Sequence, residues 1–190
     1  MSLMPTGRNI QVALYGAYRL AHYDTDGHKY FNVSVTGFWH SFSAALLIAP
    51  FYLILLGLRF SELLSVPIIR FFAIEIIAYV IVWVAFPLFL ISLLRKIKRE
   101  ERYILFIVAY NWSAVIQNAL FLPIEIFALA GILQAGTANF LGSIIIAAIF
   151  AYIYFITRTA LEVSGKLASV IVGIAILISI IVNTTASRML

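Results

Sequence analysis

Five apolar runs constrain this chain more than any motif in it. They extend from Val35 to Leu58, Leu64 to Leu94, Tyr103 to Ala130, Asn139 to Thr157 and Leu167 to Thr184. Each is close to or longer than the ~20 residues that carry an α-helix across the hydrocarbon of a bilayer. In lipid every backbone N–H and C=O must be satisfied internally, so such runs form helices. Across the 190 residues 64% are hydrophobic and 11% charged, whereas a soluble domain is roughly half apolar and a quarter charged. The expected fold is an all-α, polytopic helical bundle of about five transmembrane helices over residues 35–185.

The second and third runs exceed one bilayer crossing. The second carries Pro67, Arg70, Glu75 and Pro87, and the third carries Pro123. Such segments tilt, kink, extend beyond one interface, or break and re-enter at proline. In the fourth run Asn139, Ser143, Ala147 and Ala151 recur every four residues, and Ser169 and Gly173 repeat that spacing in the fifth. Small residues at this interval let helices approach closely. They are expected to pack the bundle, with self-association as the alternative.

Residues 1–34 form the N-terminal segment. Within it Ile10, Leu14, Ala17 and Ala21 recur at helical spacing, while Arg8, Gln11, Arg19 and His22 fall on another face. That pattern predicts an amphipathic helix over residues 7–23, lying in the headgroup plane; packing against the rest of the protein is the alternative. Asp24-Thr25-Asp26-Gly27 reads as a turn, since the later ligands and closing glutamate of a calcium loop are missing. The alternating stretch 31–36 leads into the first span, with Ser34 or Thr36 as its cap. The first thirty residues hold no continuous apolar run with a cleavage site, so no cleaved signal peptide is expected.

The net charge of +5 is explained by topology rather than by nucleic acid. Arg8, Arg19, Lys29, Arg95, Lys96, Lys98, Arg99, Arg102, Arg158 and Lys166 fall on the N-terminal side, against Arg59, Arg188 and an outward-reaching Arg70 on the other. Basic residues near spans stay in the cytoplasm. The N-terminus is therefore expected inside and the C-terminus outside. The cluster Arg95, Lys96, Lys98, Arg99 and Arg102 could also hold anionic lipid headgroups.

Ionisable and amide side chains inside apolar runs are the places to look for function. Glu75 and Glu125 are the acidic ones, and Asn111, Asn118 and Glu125 recur every seven residues, nearly two turns of helix. Glu75, Asn111, Asn118 and Glu125 form the candidate intramembrane polar site, either lining a path or bonding neighbouring helices. Arg70 and Glu75 lie about 140° apart around a helix and do not pair. The absence of cysteine removes thiolate chemistry and cysteine-ligated metals. His22, His28 and His40 lack the spacing of a helical metal site. No metal and no cofactor is expected.

The five closely spaced runs, a charged N-terminal-side loop and the stretch Arg99-Glu100-Glu101-Arg102-Tyr103-Ile104-Leu105-Phe106-Ile107-Val108-Ala109-Tyr110-Asn111-Trp112 together resemble the Yip1-type membrane proteins and their bacterial relatives. The likeness covers roughly residues 35 to 185 as topology and one loose motif. It departs at Asn111-Trp112-Ser113, where a small residue or proline is expected after the tyrosine. The resemblance implies a membrane-organising role without catalysis and carries no functional residue across. The expected setting is a bacterial inner membrane. The expected function is a non-enzymatic scaffold, accessory subunit or membrane-organising factor, with lipids and a protein partner or further copies of the chain around it. The alternative is a small oligomeric transporter or channel subunit using the polar stripe of the third helix.

Overall fold

The computed structural model describes residues 4–62 and 66–190. Among them are α1 (Gly7–Ala21), a 3₁₀ turn (Thr25–Tyr30), α2 (Val35–Ser41), α3 (Ser43–Glu62), α4 (Ile68–Lys96), a short 3₁₀ turn (Glu100–Arg102), α5 (Tyr103–Leu129), α6 (Ala135–Leu161) and α7 (Gly165–Met189). No strand occurs among the described residues. Five helices, the first made of α2 and α3 end to end, are long and apolar enough to cross a membrane. The chain is an all-α membrane protein.

The second run is a single helix from Ile68 onward, its start at Leu64 lying outside the described residues, and the third run is a single helix. α4 passes through Pro87 and α5 through Pro123 without breaking. At ~1.5 Å per residue the 29 residues of α4 measure about 43 Å, so it overruns ~30 Å of hydrocarbon instead of re-entering. The first span is the interrupted one. Ser34 caps α2 by accepting from the Gly37 amide at 3.0 Å. At the α2–α3 junction the Phe42 amide turns to the Trp39 carbonyl, a 3₁₀ bond, which leaves the Phe38 carbonyl without its helical donor. The Ser41 hydroxyl supplies that donor at 2.7 Å, and Ser43 does the same for His40 at 2.7 Å.

α5 touches α1, α2, α3, α4 and α6, and the contacts α3–α5, α5–α6, α6–α7, α7–α4 and α4–α3 close a ring of five spans. One half of this ring is densely packed. Leu90, Leu94, Phe106, Ile107, Ala109, Ile156, Ala160, Leu161 and Ile171 are fully buried there in one cluster. In lipid such packing rests on van der Waals contact more than on the hydrophobic effect.

The segment before the first span closes that packed end. α1 buries Ala13, Gly16, Ala17 and Leu20, one residue around from the expected stripe, with Ile10, Leu14 and Ala21 at its edges. The Tyr152 hydroxyl donates to the Ala17 carbonyl at 2.6 Å, tying α1 to α6. The helix is thus docked on the bundle, the alternative to an independent interfacial helix. Its Arg19 does not face outward freely: it pairs with Asp24, lies 5.4 Å from the Tyr30 ring, and donates to that ring's hydroxyl oxygen at 3.1 Å. The Arg19 guanidinium holds the Asp24 carboxyl below the usual carboxylate range. Residues 24–27 are a turn as expected, and among the described residues no group of acids and histidines could hold a metal ion.

The small-residue stripes do not pack the bundle. Asn139, Ser143, Ala147 and Ala151 all lie exposed on α6, as do Ser169 and Gly173 on α7. α6 turns Ala138, Gly142, Tyr152, Ile153 and Ile156 inward instead. Its bulky inward residues sit in its second half, where the ring is tightest, and they fix which face is inside.

Candidate functional site

Away from the packed half the spans enclose a cavity of about 540 Å³. All five contribute: Tyr52 and Arg59 from α3, Glu75, Tyr79 and Trp83 from α4, Gln117 and Asn118 from α5, Phe150 and Ile153 from α6, and Ser179, Asn183 and Ser187 from α7. It begins near the middle of the bundle, at the level of Tyr110 and Val172. It reaches the surface where Asn183 and Ser187 are exposed, near the last turn of α7.

Helical periodicity builds this lining. Glu75, Tyr79 and Trp83 stand at i, i+4 and i+8 on one face of α4. Tyr52 and Arg59 are seven residues apart on α3, and Ser179, Asn183 and Ser187 repeat every four on α7. Glu75 is 7% exposed, and its Oε2 accepts from the Tyr52 hydroxyl at 3.0 Å. The Tyr52 and Tyr79 rings stack at 4.8 Å, and the Tyr79 hydroxyl is held by the Ala45 carbonyl at 2.8 Å. Trp83 continues the aromatic row, 6.2 Å from Tyr79. Among the described residues no cation comes within ion-pair distance of Glu75. Arg70, on another face of α4, donates to the Met189 carbonyl at 2.5 Å and ties α4 to the end of α7.

The amides of the lining are oriented by their own helices. Asn118 Nδ2 donates to the Ala114 carbonyl at 2.8 Å, and Asn183 Nδ2 to the Ser179 carbonyl at 2.9 Å. Gln117 Nε2 donates to Ser113 Oγ at 3.0 Å, whose own proton goes to the Tyr110 carbonyl at 2.7 Å. Each partner can only accept, so the amide nitrogen and not its oxygen faces it.

The four residues of the expected polar site therefore divide. Glu75 and Asn118 share the cavity. Asn111 does not line it: fully buried in the packed half, it donates to Ser41 Oγ at 2.9 Å and braces the α2–α3 junction against α5. Glu125 is half-buried one turn beyond Leu122 and outside the lining. One stripe on α5 was a sound inference, but its surroundings change along the helix from packed core to open lumen. Tyr52, Arg59, Tyr79, Trp83, Gln117 and Asn183 were missed. The i, i+4, i+8 row on α4 and the i, i+4 row on α7 were the available signals.

The expected headgroup cluster also divides. Arg95, Lys96 and Lys98 are exposed at the packed end. Arg102 pairs with Glu162 at 2.5 Å, and Arg99 lies 3.9 Å from Glu162 and 4.0 Å from Glu101. Glu162 holds a left-handed backbone (φ 52°) at the end of α6 and joins the 95–102 and 158–166 loops. Comparison with protein-family models, with curated proteins and with solved structures finds no match for this chain.

Proposed function

We propose that this chain is a non-enzymatic integral membrane protein that binds a small solute between its five spans, in the manner of a small carrier or channel subunit. The observation that carries the reading is a nearly buried carboxylate, Glu75, set in the wall of a cavity to which every span contributes. Burying an ionisable group at membrane depth is costly, and such groups mark ligand or ion sites. A purely scaffolding bundle has no need of this lumen, because close packing of the whole ring would stabilise it more. The basic residues of the packed end favour a cytoplasmic location for that end, in keeping with a bacterial inner membrane, so the cavity faces outside.

The test is ligand-induced stabilisation of the full chain in detergent, using small amphiphiles of cationic, anionic, zwitterionic and neutral type. Binding to the folded state raises its melting temperature by mass action. At least one class should do so for the native chain and fail for Ala114→Phe, which fills the lumen from α5. Absence of any stabilisation across all four classes would sink the reading.

A further inference from the structure

The chemical character of the cavity wall says more than its size. Its polar side chains are turned so that acceptors remain. The Tyr52 proton goes to Glu75 and the Tyr79 proton to the Ala45 carbonyl. The Gln117, Asn118 and Asn183 amides each turn the nitrogen toward an internal acceptor, which takes one of its two N–H groups. No hydrogen bond from the described residues reaches the carbonyl oxygens of those three amides. The Glu75 carboxylate has a hydroxyl for a partner and no cation. Beside it lies the row of Tyr52, Tyr79 and Trp83, whose ring faces attract positive charge within about 6 Å. Ile48, Leu55, Leu122, Ile153 and Ile176 supply the apolar remainder.

Donors are also present in the wall, but among the described residues only the Tyr52 hydroxyl is bonded to Glu75. Arg59 stands two turns from Tyr52 along α3 in the same wall, and no ion pair joins it to Glu75. Tyr110 and Ser179 add hydroxyls elsewhere in the wall. A neutral or anionic ligand seated by Glu75 would leave that carboxylate with the Tyr52 hydroxyl for a partner and no counter-charge in contact. A cation with an apolar body satisfies the carboxylate and the aromatic faces beside it together.

Resting on the solute-binding reading above, we infer that the cavity takes an organic ammonium ion, with its cationic head between Glu75 and the Tyr52–Tyr79–Trp83 row and its apolar part along the lumen. The ammonium could belong to a water-soluble amine or to an amine-bearing lipid headgroup, and the experiment separates the two.

The probes are benzyltrimethylammonium, its uncharged carbon isostere neopentylbenzene, and benzenesulfonate, titrated against the full chain in phosphatidylglycerol nanodiscs. Binding is read by Trp83 fluorescence, with a Trp39→Phe, Trp112→Phe background to isolate that signal. The cation should bind at least about tenfold more tightly than its isostere, as expected for a charge-assisted contact. Glu75→Gln, which keeps a group able to accept from Tyr52, should reduce that ratio to near one while leaving isostere binding in place. The retained isostere signal guards against mistaking misfolding for lost selectivity. Adding phosphatidylethanolamine to the nanodiscs should weaken probe binding if the natural ammonium is a lipid's and leave it unchanged if it is soluble; either result is compatible with the ammonium class. Equal binding of cation and isostere to the native chain, or a ratio that survives Glu75→Gln, overturns the inference and leaves the cavity as a binding site. If none of the three probes binds, the solute-binding reading falls with it.

Discussion

At the scale of single residues, burial and the direction of each proton separate structural polar groups from chemical ones. His28 illustrates the structural kind. Its Nε2 lies 2.8 Å from Thr159 Oγ1, and that hydroxyl donates to the Phe155 carbonyl at 2.8 Å, so the ring must be the donor. Nδ1 is left buried without a partner. Protonation would place a second N–H there with no acceptor, and burial pushes the imidazole down from 6.5 to about 4. The folded value lies below the unfolded one, so the unfolded chain binds more protons between them. Stability from neutral His28 is therefore complete above pH 6.5 and declines as pH falls toward 4. A shift of this size corresponds to about 3 kcal/mol, reduced to roughly 2 kcal/mol because the ring is only partly buried. The difference in melting temperature between the native chain and His28→Gln in detergent should shift in favour of the variant from pH 7 to pH 4.5; parallel curves would refute the assignment. Asn111 is the second case. Ser41 already donates to the Phe38 carbonyl, so Asn111 must donate to Ser41, and its own Oδ1 is orphaned. Asn111→Leu removes one interhelical bond and one unpaired oxygen together, which limits the net loss to about 1 kcal/mol. It should lower the melting temperature by a few degrees and leave probe binding unchanged, whereas a loss of binding would return Asn111 to the site. The sequence placed Glu75 and Asn118 among the functional candidates because ionisable and amide groups are rare in apolar helices. It could not separate them from Asn111 and Glu125, because what surrounds a helical stripe is decided by neighbouring helices. Tyr52 and Trp83 went unread for a related reason: aromatic residues in a span are as often core or interfacial as cavity lining.

At the scale of elements, the extents of the spans were legible and their faces were not. Hydropathy over twenty residues marks a crossing helix whatever its neighbours, so α3 to α7 fall where the apolar runs predict. The inner face of α6 was misread because its small-residue stripe, Asn139 to Ala151, is a packing surface only where another helix covers it, and here none of the described helices does. The amphipathic α1 was read about one residue away from the face it buries, and one of the contacts that dock it comes from a tyrosine 135 residues away. That docking depends on a close backbone approach. A Cβ on Gly27 would stand 2.6 Å from the Gly16 carbonyl oxygen and 2.8 Å from Leu20 Cγ. The first of these is backbone and cannot rotate aside. Gly27→Ala should destabilise the chain by about 1–3 kcal/mol through forced separation of the 3₁₀ turn from α1. It should also speed proteolysis around residues 24–34. Gly57→Ala on α3, where nothing lies within 4 Å, serves as the comparison and should be neutral or slightly stabilising, since alanine favours helix over glycine by up to ~1 kcal/mol. Equal melting temperatures for the two variants would show that α1 is not held by this approach.

At the scale of the molecule, the ring of five spans is closed at the end that carries most of the basic residues and hollow at the other. The closed half contains the large buried side chains of α4, α5, α6 and α7, capped by α1 and by the Arg99–Arg102–Glu162 contacts. The hollow half has Arg59, Asn183 and Ser187 around its wall. That asymmetry, combined with the charge bias of the loops, makes a prediction about access from each side of the membrane. The native chain has no cysteine, so single cysteines report without background. In sealed vesicles with the native outer face exposed, a membrane-impermeant maleimide should label Asn183→Cys and Ser187→Cys rapidly and Asn118→Cys more slowly, since it lies deeper in the same lumen. Ala109→Cys, fully buried in the closed half, should stay unlabelled. Ser164→Cys, exposed in the loop beside Glu162, should react only after the vesicles are opened. Reversal of the Ser164 and Ser187 results would invert the orientation while leaving the cavity intact. Labelling of Ala109→Cys from outside would instead mean that the closed half opens, and a one-sided vestibule would give way to a path that runs through the bundle.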